Sequence, residues 1–364
     1  MKICIVGAGN IGLALTSVLA LHNKHNVVLY TKKDFEPSKL IFKDIEQNID
    51  YKKLNFIVES DLELALKDCD YIFCTYPAFI RKAFIDEAIK FVPTNCKIGF
   101  IPGYGGAEYM CNSLIDKGVT IFGLQRVPFV ARQENKEIAT ILSRKNQLFV
   151  AAIPKKQTEG ICKDLEELIG IPTVALKEYL SVTLTPSNPL LHLTGLYNVF
   201  KNYKEGDYYD RQLMFYAEWN DETSELLLEY DKELQEICSK LKPLNLDEVV
   251  SLKIYYESPS ARAMTQKLKS IKAFEVVKVP LNEIEGKFYP DFNSRMFIED
   301  FPYGIAIIKY FGILTNVKTR GTLGEIQLGA ILREILSKEQ YEENIATIPA
   351  SKNVVEFAIK MPAG

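Results

Sequence analysis

The chain opens on Lys2-Ile3-Cys4-Ile5-Val6, an apolar run suited to a buried strand, and breaks it with Gly7-Ala8-Gly9-Asn10-Ile11-Gly12. Three glycines at this spacing, directly after a strand, constrain the fold more than any other feature of the sequence. Over 11–21 the apolar residues recur at helical spacing, and 25–30 (HNVVLY) reads as a second strand. Strand, glycine turn, helix and strand within about 30 residues form a βαβ unit. In such a unit the first glycine makes the tight turn, the second lets a pyrophosphate approach the backbone, and the third lets helix pack on strand. The helix N-terminus then offers unpaired N–H groups and a partial positive charge to the phosphates. Gly7, Gly9, Asn10, Ile11 and Gly12 are therefore expected to hold a dinucleotide.

The alternation continues. Residues 56–58, 71–75, 97–101, 119–124 and 148–153 read as strands, with helical patterns at 61–67 and after Ile80. Strands separated by helices predict a largely parallel, doubly wound sheet of Rossmann type. After about residue 170 the pattern changes. Helices are expected at 189–202, 210–241, around 260–271 and at 303–311, and strand signals nearly vanish. The expected fold class is α/β, with a Rossmann-type domain over 1–175 and a mainly α-helical second domain over 176–364. A chain of 364 residues with 47% hydrophobic content can fill two cores.

Charge and cysteine usage narrow the function classes. The net charge is −3, and Lys and Arg are scattered without a block of five, so neither nucleic acid nor a membrane surface is expected as partner. The 7 cysteines are odd in number and show no metal-binding spacing. They read as reduced thiols of a cytoplasmic protein, with no metal site expected. The apolar run after Lys2 could pass for a signal peptide, but Gly7, Gly9, Asn10 and Gly12 interrupt it and no A-x-A cleavage pattern follows. No other stretch approaches the roughly 18 uninterrupted apolar residues of a membrane span.

The end of the second strand bears on the cofactor. An NAD enzyme places Asp or Glu about 20 residues beyond the glycines to hold the ribose 2′-OH. Here Thr31 stands at that place, followed by Lys32 and Lys33. A hydroxyl and two ammonium groups suit a 2′-phosphate, so NADP(H) is favoured over NAD(H). Asp34 and Glu36 lie close enough to serve as the acid instead, and the lysines could simply solvate a loop. Tyr76, Pro77 and the stretch 103–106 follow strands at the carboxyl edge and are expected to border the nicotinamide. Gln125, Arg126 and Arg132 follow another such strand, where they either touch substrate or serve the structure.

The chain has 3 histidines. His22 and His25 flank the entry to the second strand, at the amino edge of the parallel strands, whereas ligands bind at the carboxyl edge. That leaves His192, in Ser187-Asn188-Pro189-Leu190-Leu191-His192. Ser187 or Asn188 can cap a helix and Pro189 suits its first position, which puts His192 in an early turn. A single histidine among leucines is more often a core residue. The segment 294–304 (SRMFIEDFPYG) adds a guanidinium and two carboxylates beside a turn. Arg can hold a substrate carboxylate with two parallel hydrogen bonds, and Asp can fix an imidazole tautomer. A surface ion pair at a helix start would use the same residues.

Together, GAGNIG at 7–12, NPLLH at 188–192 and RMFIEDFPYG at 295–304 resemble the opine dehydrogenase family, of octopine/nopaline dehydrogenase type. The two later motifs are the specific ones, and the resemblance spans nearly the whole chain. It implies NAD(P)H-dependent reductive condensation of an amino acid's amino group with an α-keto acid, such as pyruvate, through an imine, and the reverse oxidation. It also implies that His192 is the catalytic histidine, Asp300 its partner and Arg295 the clamp for the keto-acid carboxylate. The implied partners are these two small molecules, and a homodimer is one assembly left open. Two alternatives stand beside this reading. One is a two-domain NADP-dependent reductase of ketopantoate reductase or glycerol-3-phosphate dehydrogenase type, which relies on a catalytic lysine. No lysine here has a comparably telling context, although Lys201 and Lys204 follow the His192 helix. The other is a non-catalytic NAD(P)-sensing protein. The tyrosine-rich stretch 203–222, with Trp219, either lines an amino-acid pocket or belongs to a core.

Overall fold

A computed structural model describes residues 1–317, apart from 22, 53, 136–137, 186 and 205. His22 and the stretch 318–364 thus lie outside the described residues. The chain divides into two compact units, with the change at Thr183–Leu184.

The first unit is built on an eight-stranded sheet. Its strands are β1 (Lys2–Val6), β2 (Asn26–Tyr30), β3 (Ile57–Glu59), β4 (Tyr71–Cys74), β5 (Lys97–Phe100), β6 (Thr120–Leu124), β7 (Leu148–Ile153) and β8 (Thr173–Ala175). Their spatial order is β8-β7-β6-β5-β4-β1-β2-β3, so the order reverses at β1 and β4. The sequence of β4, YIFC, is buried throughout, as a strand covered on both faces must be. Helices α1 (Asn10–Ala20), α2 (Ala78–Ala88) and α3 (Thr158–Ile169) lie along the same stretch of chain. Leu13, Leu15 and Leu19 of α1 share a core with Ile3 and Ile5 of β1, Phe73 of β4 and Ile161 and Leu165 of α3.

The doubly wound sheet matches the expectation, with two additions. Strand β7 runs antiparallel to β6, while the other neighbours pair in parallel. A parallel return needs a crossover that carries the chain back to the starting edge. Between β6 and β7 the chain instead forms two strands, Phe129–Asn135 and Ile138–Arg144, and comes back on the edge it left. These strands join Ile41–Asp44 and Ile49–Lys52 in a separate four-stranded sheet. Short, partly polar strands carry little periodicity, which is why the sequence does not announce this sheet.

Register decides what the main sheet can do. Val6 pairs with Tyr30 and with Cys74, and Cys74 pairs with Phe100. The carboxyl ends of β1, β2, β4 and β5 are therefore level, and the segments after Val6, Tyr30, Cys74 and Phe100 leave from one edge. All seven cysteines are buried and free.

The second unit is helical, with α4 (Ser187–Phe200), α5 (Asp221–Lys240), α6 (Ala261–Ser270), α7 (Arg295–Ile298) and α8 (Ala306–Leu314). The helix expected over 210–241 begins only at Asp221. Asn220 caps it, its Oδ1 accepting the Thr223 N–H at 2.8 Å, and Asp221 and Glu222 suit the positive end of the dipole. The preceding residues are held by Phe215 N–H to the Val277 carbonyl at 2.7 Å and Val279 N–H to the Leu213 carbonyl at 2.9 Å. Their aromatics fill the core: Phe215, Tyr216 and Trp219 are buried, and the Trp219 indole N–H donates to Ser224 Oγ at 2.8 Å. One hairpin interrupts the helices, Leu281–Ile284 with Lys287–Pro290. Its two-residue turn has Glu285 and Gly286 at φ 52° and 75°, the backbone that a tight hairpin needs.

Candidate active site

At the carboxyl edge of the first unit, Gly7 has φ +106°, a conformation L side chains rarely adopt. A Cβ on Gly12 would lie 1.8 Å from the Gly7 carbonyl oxygen, so only glycine lets α1 start this close to the turn. A Cβ on Gly9 would meet nothing within 4 Å. The backbone is open at Gly9 and closed at its two companions, which fits a turn that packs on itself and presents one face to a pyrophosphate. Thr75, just beyond β4, pins the turn: its hydroxyl donates to the Val6 carbonyl at 2.9 Å and faces the Gly7 carbonyl at 3.3 Å. Asn10 opens α1 and its Oδ1 accepts the Gln133 N–H at 2.9 Å. With Ile11 and Gly12 it carries the first helical N–H groups, which have no acceptor within the helix.

Thr31 is buried, and its hydroxyl oxygen accepts the Lys33 N–H at 3.1 Å. Lys32, Lys33 and Asp34 are exposed beside it. Glu36 is drawn to Lys39 at 2.6 Å and to the Ser38 hydroxyl at 2.8 Å, and these contacts hold its carboxyl below the usual range. Tyr76 and Pro77 are half-buried after β4, the Tyr76 ring packing edge-on to Phe84 at 5.7 Å. Burial raises the Tyr76 phenol to about 12. Gln125 is buried and donates to the Ser181 carbonyl at 3.3 Å, and Arg132 donates to the Ala131 carbonyl at 3.1 Å. His25 stands one residue before β2, at the opposite edge, and burial lowers its imidazole.

In the second unit His192 sits on α4, in the second turn, and its Nδ1 is 2.6 Å from Asp300 Oδ2. The side chains are 17% and 7% exposed. A carboxylate at this distance accepts a hydrogen bond from Nδ1–H, which keeps that proton on Nδ1 and leaves Nε2 as the ring nitrogen that exchanges protons with anything else. Phe215 abuts the imidazole edge-on, centroids 5.6 Å apart at 84°. A Cβ on Gly195, one turn along α4, would fall 2.2 Å from Phe215 Cζ, so the missing side chain makes room for that ring. Gly304 does the same for Pro189: a Cβ there would lie 2.4 Å from Pro189 Cγ. The motifs at 188–192 and 295–304 therefore pack on each other, which is how Asp300 reaches His192.

Arg295 does not join this pair. Its Nε donates to Glu299 Oε2 at 2.7 Å, and a second guanidinium nitrogen contacts the same oxygen. The Arg295 side chain is 67% exposed and that of Glu299 3%, so the carboxylate is buried and the cation faces outward.

Residues 175–331 match the family described as NAD/NADP octopine/nopaline dehydrogenase, alpha-helical domain, and that span contains His192, Arg295 and Asp300. Over that span the chain is similar to the opine dehydrogenase family. Residues 3–143, which carry the glycine turn and most of the parallel sheet, match the family described as ketopantoate reductase PanE/ApbA. The octopine dehydrogenase of Pecten maximus is 20% identical over 345 residues, 87% of this chain and 86% of that one. The opine dehydrogenase of Haliotis discus hannai is 24% identical over 292 residues, 75% of this chain and 72% of that one. An octopine dehydrogenase structure with NADH and L-arginine superposes with a TM-score of 0.77 at 20% identity, covering 92% of this chain and 89% of that one. Residues 311–364 match the RmuC family instead.

Sequence reasoning missed Thr75 beside the glycine turn, Gly195 and Phe215 beside His192, and the pairing of Glu299 with Arg295. None carries a motif of its own. Each acts by touching a residue far away in the chain or one turn along a helix.

Proposed function

We propose that this chain is an NAD(P)H-dependent opine dehydrogenase in which His192 exchanges the proton, Asp300 orients it and Arg295 meets the keto-acid carboxylate. The observation that carries the reading is the His192–Asp300 contact of 2.6 Å inside the stretch that matches the octopine/nopaline dehydrogenase domain. The substrates are an amino acid and an α-keto acid, which lose water to form an imine. The nicotinamide, when bound, supplies the hydride that reduces the imine carbon.

The chain's own residues do the rest. Gly7 to Gly12 and the start of α1 hold the pyrophosphate. Thr31, Lys32 and Lys33 take a ribose 2′-phosphate, which makes NADP(H) the preferred cofactor. Asp300 accepts from Nδ1, so Nε2 gives a proton to the nitrogen being reduced and takes one back from the secondary amine in the reverse direction. The negative carboxylate also offsets the charge on the ring when it carries both protons. Arg295, held by Glu299, supplies the positive charge that a keto-acid carboxylate seeks.

The test is a matrix of amino acids against pyruvate and other keto acids, followed by NADPH and then NADH consumption, with mass spectrometry of the product. A product mass equal to the sum of both substrates less water plus two hydrogens is the expected result. Oxidation of NADPH that needs a keto acid but no amine sinks the proposal and favours a ketopantoate-type reductase.

A further inference from the structure

Arg81 is among the largest fully buried side chains of the protein, 1% exposed on α2. Burying a charged group is costly unless its hydrogen bonds are met. Here main-chain carbonyls meet them. Nε donates to the Tyr76 carbonyl at 3.0 Å, Nη1 to the Tyr104 carbonyl at 2.5 Å and Nη2 to the Pro102 carbonyl at 2.9 Å. The guanidinium also lies 5.8 Å from the centroid of Phe100. Tyr76 belongs to the segment that leaves β4, and Pro102 and Tyr104 to the one that leaves β5. One planar fork therefore ties two carboxyl-edge segments together, a geometry that lysine's single ammonium cannot reproduce.

The place of these segments gives the contact its meaning. The pyrophosphate turn follows β1. Thr31, Lys32 and Lys33 follow β2 on one side of it, while β4 and β5 lie on the other side. A dinucleotide with its adenosine half toward β2 must extend its other half over the ends of β4 and β5. We propose that Arg81 is a positioning residue for the nicotinamide half of the cofactor. It fixes Tyr76 and Pro77 against Pro102 and Tyr104, and so shapes the surface on which the ring rests. The inference rests on the dinucleotide-binding part of the function proposed above, not on the opine chemistry.

The test compares two ligands in Arg81→Met and Arg81→Lys by isothermal titration calorimetry. One is the whole reduced dinucleotide. The other is its adenosine half, 2′,5′-ADP (AMP if the wild type prefers NADH). Arg81→Met is expected to bind the adenosine half within twofold of wild type and the whole dinucleotide at least fivefold more weakly. Arg81→Lys should fall between, and it carries the same comparison if Arg81→Met does not fold. Equal weakening for both ligands, as general damage to the unit would give, or weakening for neither, overturns the proposal. Wild-type protein that follows this pattern but joins no amino acid to any keto acid removes the opine reading and leaves the role of Arg81 standing. Wild-type protein that binds neither dinucleotide overturns both.

Discussion

The imidazole of His192 and the carboxylate of Asp300 meet at 2.6 Å although they are 108 residues apart in sequence. Phe215 closes the imidazole from another side. A ring held this way has one tautomer and one direction in which to move a proton.

His192→Ala should lower turnover by about 10²–10⁴, the usual worth of a positioned general acid–base, while NADPH still binds. Asp300→Asn keeps the shape but removes the charge that selects the tautomer, and should lower turnover in the same direction. Steady-state rates and NADPH titrations on both variants check this. Wild-type-like turnover in His192→Ala would falsify the assignment.

Gly195→Ala tests the support of that ring. The new methyl group would collide with Phe215, whose Cζ lies 2.2 Å from its place. Overpacking of this kind costs about 1–3 kcal/mol. Urea melts should show that loss, and turnover of the folded protein should fall because the imidazole loses its backing. Unchanged turnover at full folding would separate Phe215 from the chemistry.

Gly9→Ala and Gly12→Ala should part company. The Gly9 Cβ enters open space, so the protein should keep its stability within about 0.5 kcal/mol and lose affinity for the cofactor. The Gly12 Cβ meets a backbone oxygen, so stability and affinity should fall together. Thermal melts with and without NADPH read both effects.

Lys32→Ala with Lys33→Ala should raise the KM for NADPH about tenfold or more, a change of about 1.4 kcal/mol, and leave that for NADH within about twofold. An equal change for both cofactors would detach these lysines from the 2′-phosphate.

Glu108 predicts a pH effect on stability. It is fully buried and accepts the Thr183 hydroxyl, and burial pushes its carboxyl up to about 7. In the unfolded chain a glutamate titrates near 4.3. Its contribution to stability is therefore complete below about pH 4 and is lost as the pH rises through about 7, where the folded protein must bury a charge. Glu108→Gln removes that titration. Between pH 5 and 8 the variant should gain on wild type by an amount on the order of 3 kcal/mol. Urea melts across that range decide it, and parallel curves for the two proteins would contradict it.

What depends on neighbours along the chain was legible before any fold was known. The glycine turn, the first βαβ unit, the parallel alternation and the helix that carries His192 are local patterns of size, apolarity and backbone freedom. The motif at 295–304 was legible as chemistry but not as geometry. It offers two carboxylates, and only packing of Gly304 on Pro189 decides that Asp300 meets His192 while Glu299 takes Arg295. The second sheet, the late start of α5 and the burial of Trp219 were likewise tertiary decisions, because edge strands and aromatic stretches are defined by what covers them. Arg81 is the extreme case. As a sequence symbol it is one cation on an amphipathic helix, and only the fold brings the carbonyls of Tyr76, Pro102 and Tyr104 to its fork. Periodicity reports which face of an element is buried, whereas the partner on that face is set by contacts between residues distant in the chain.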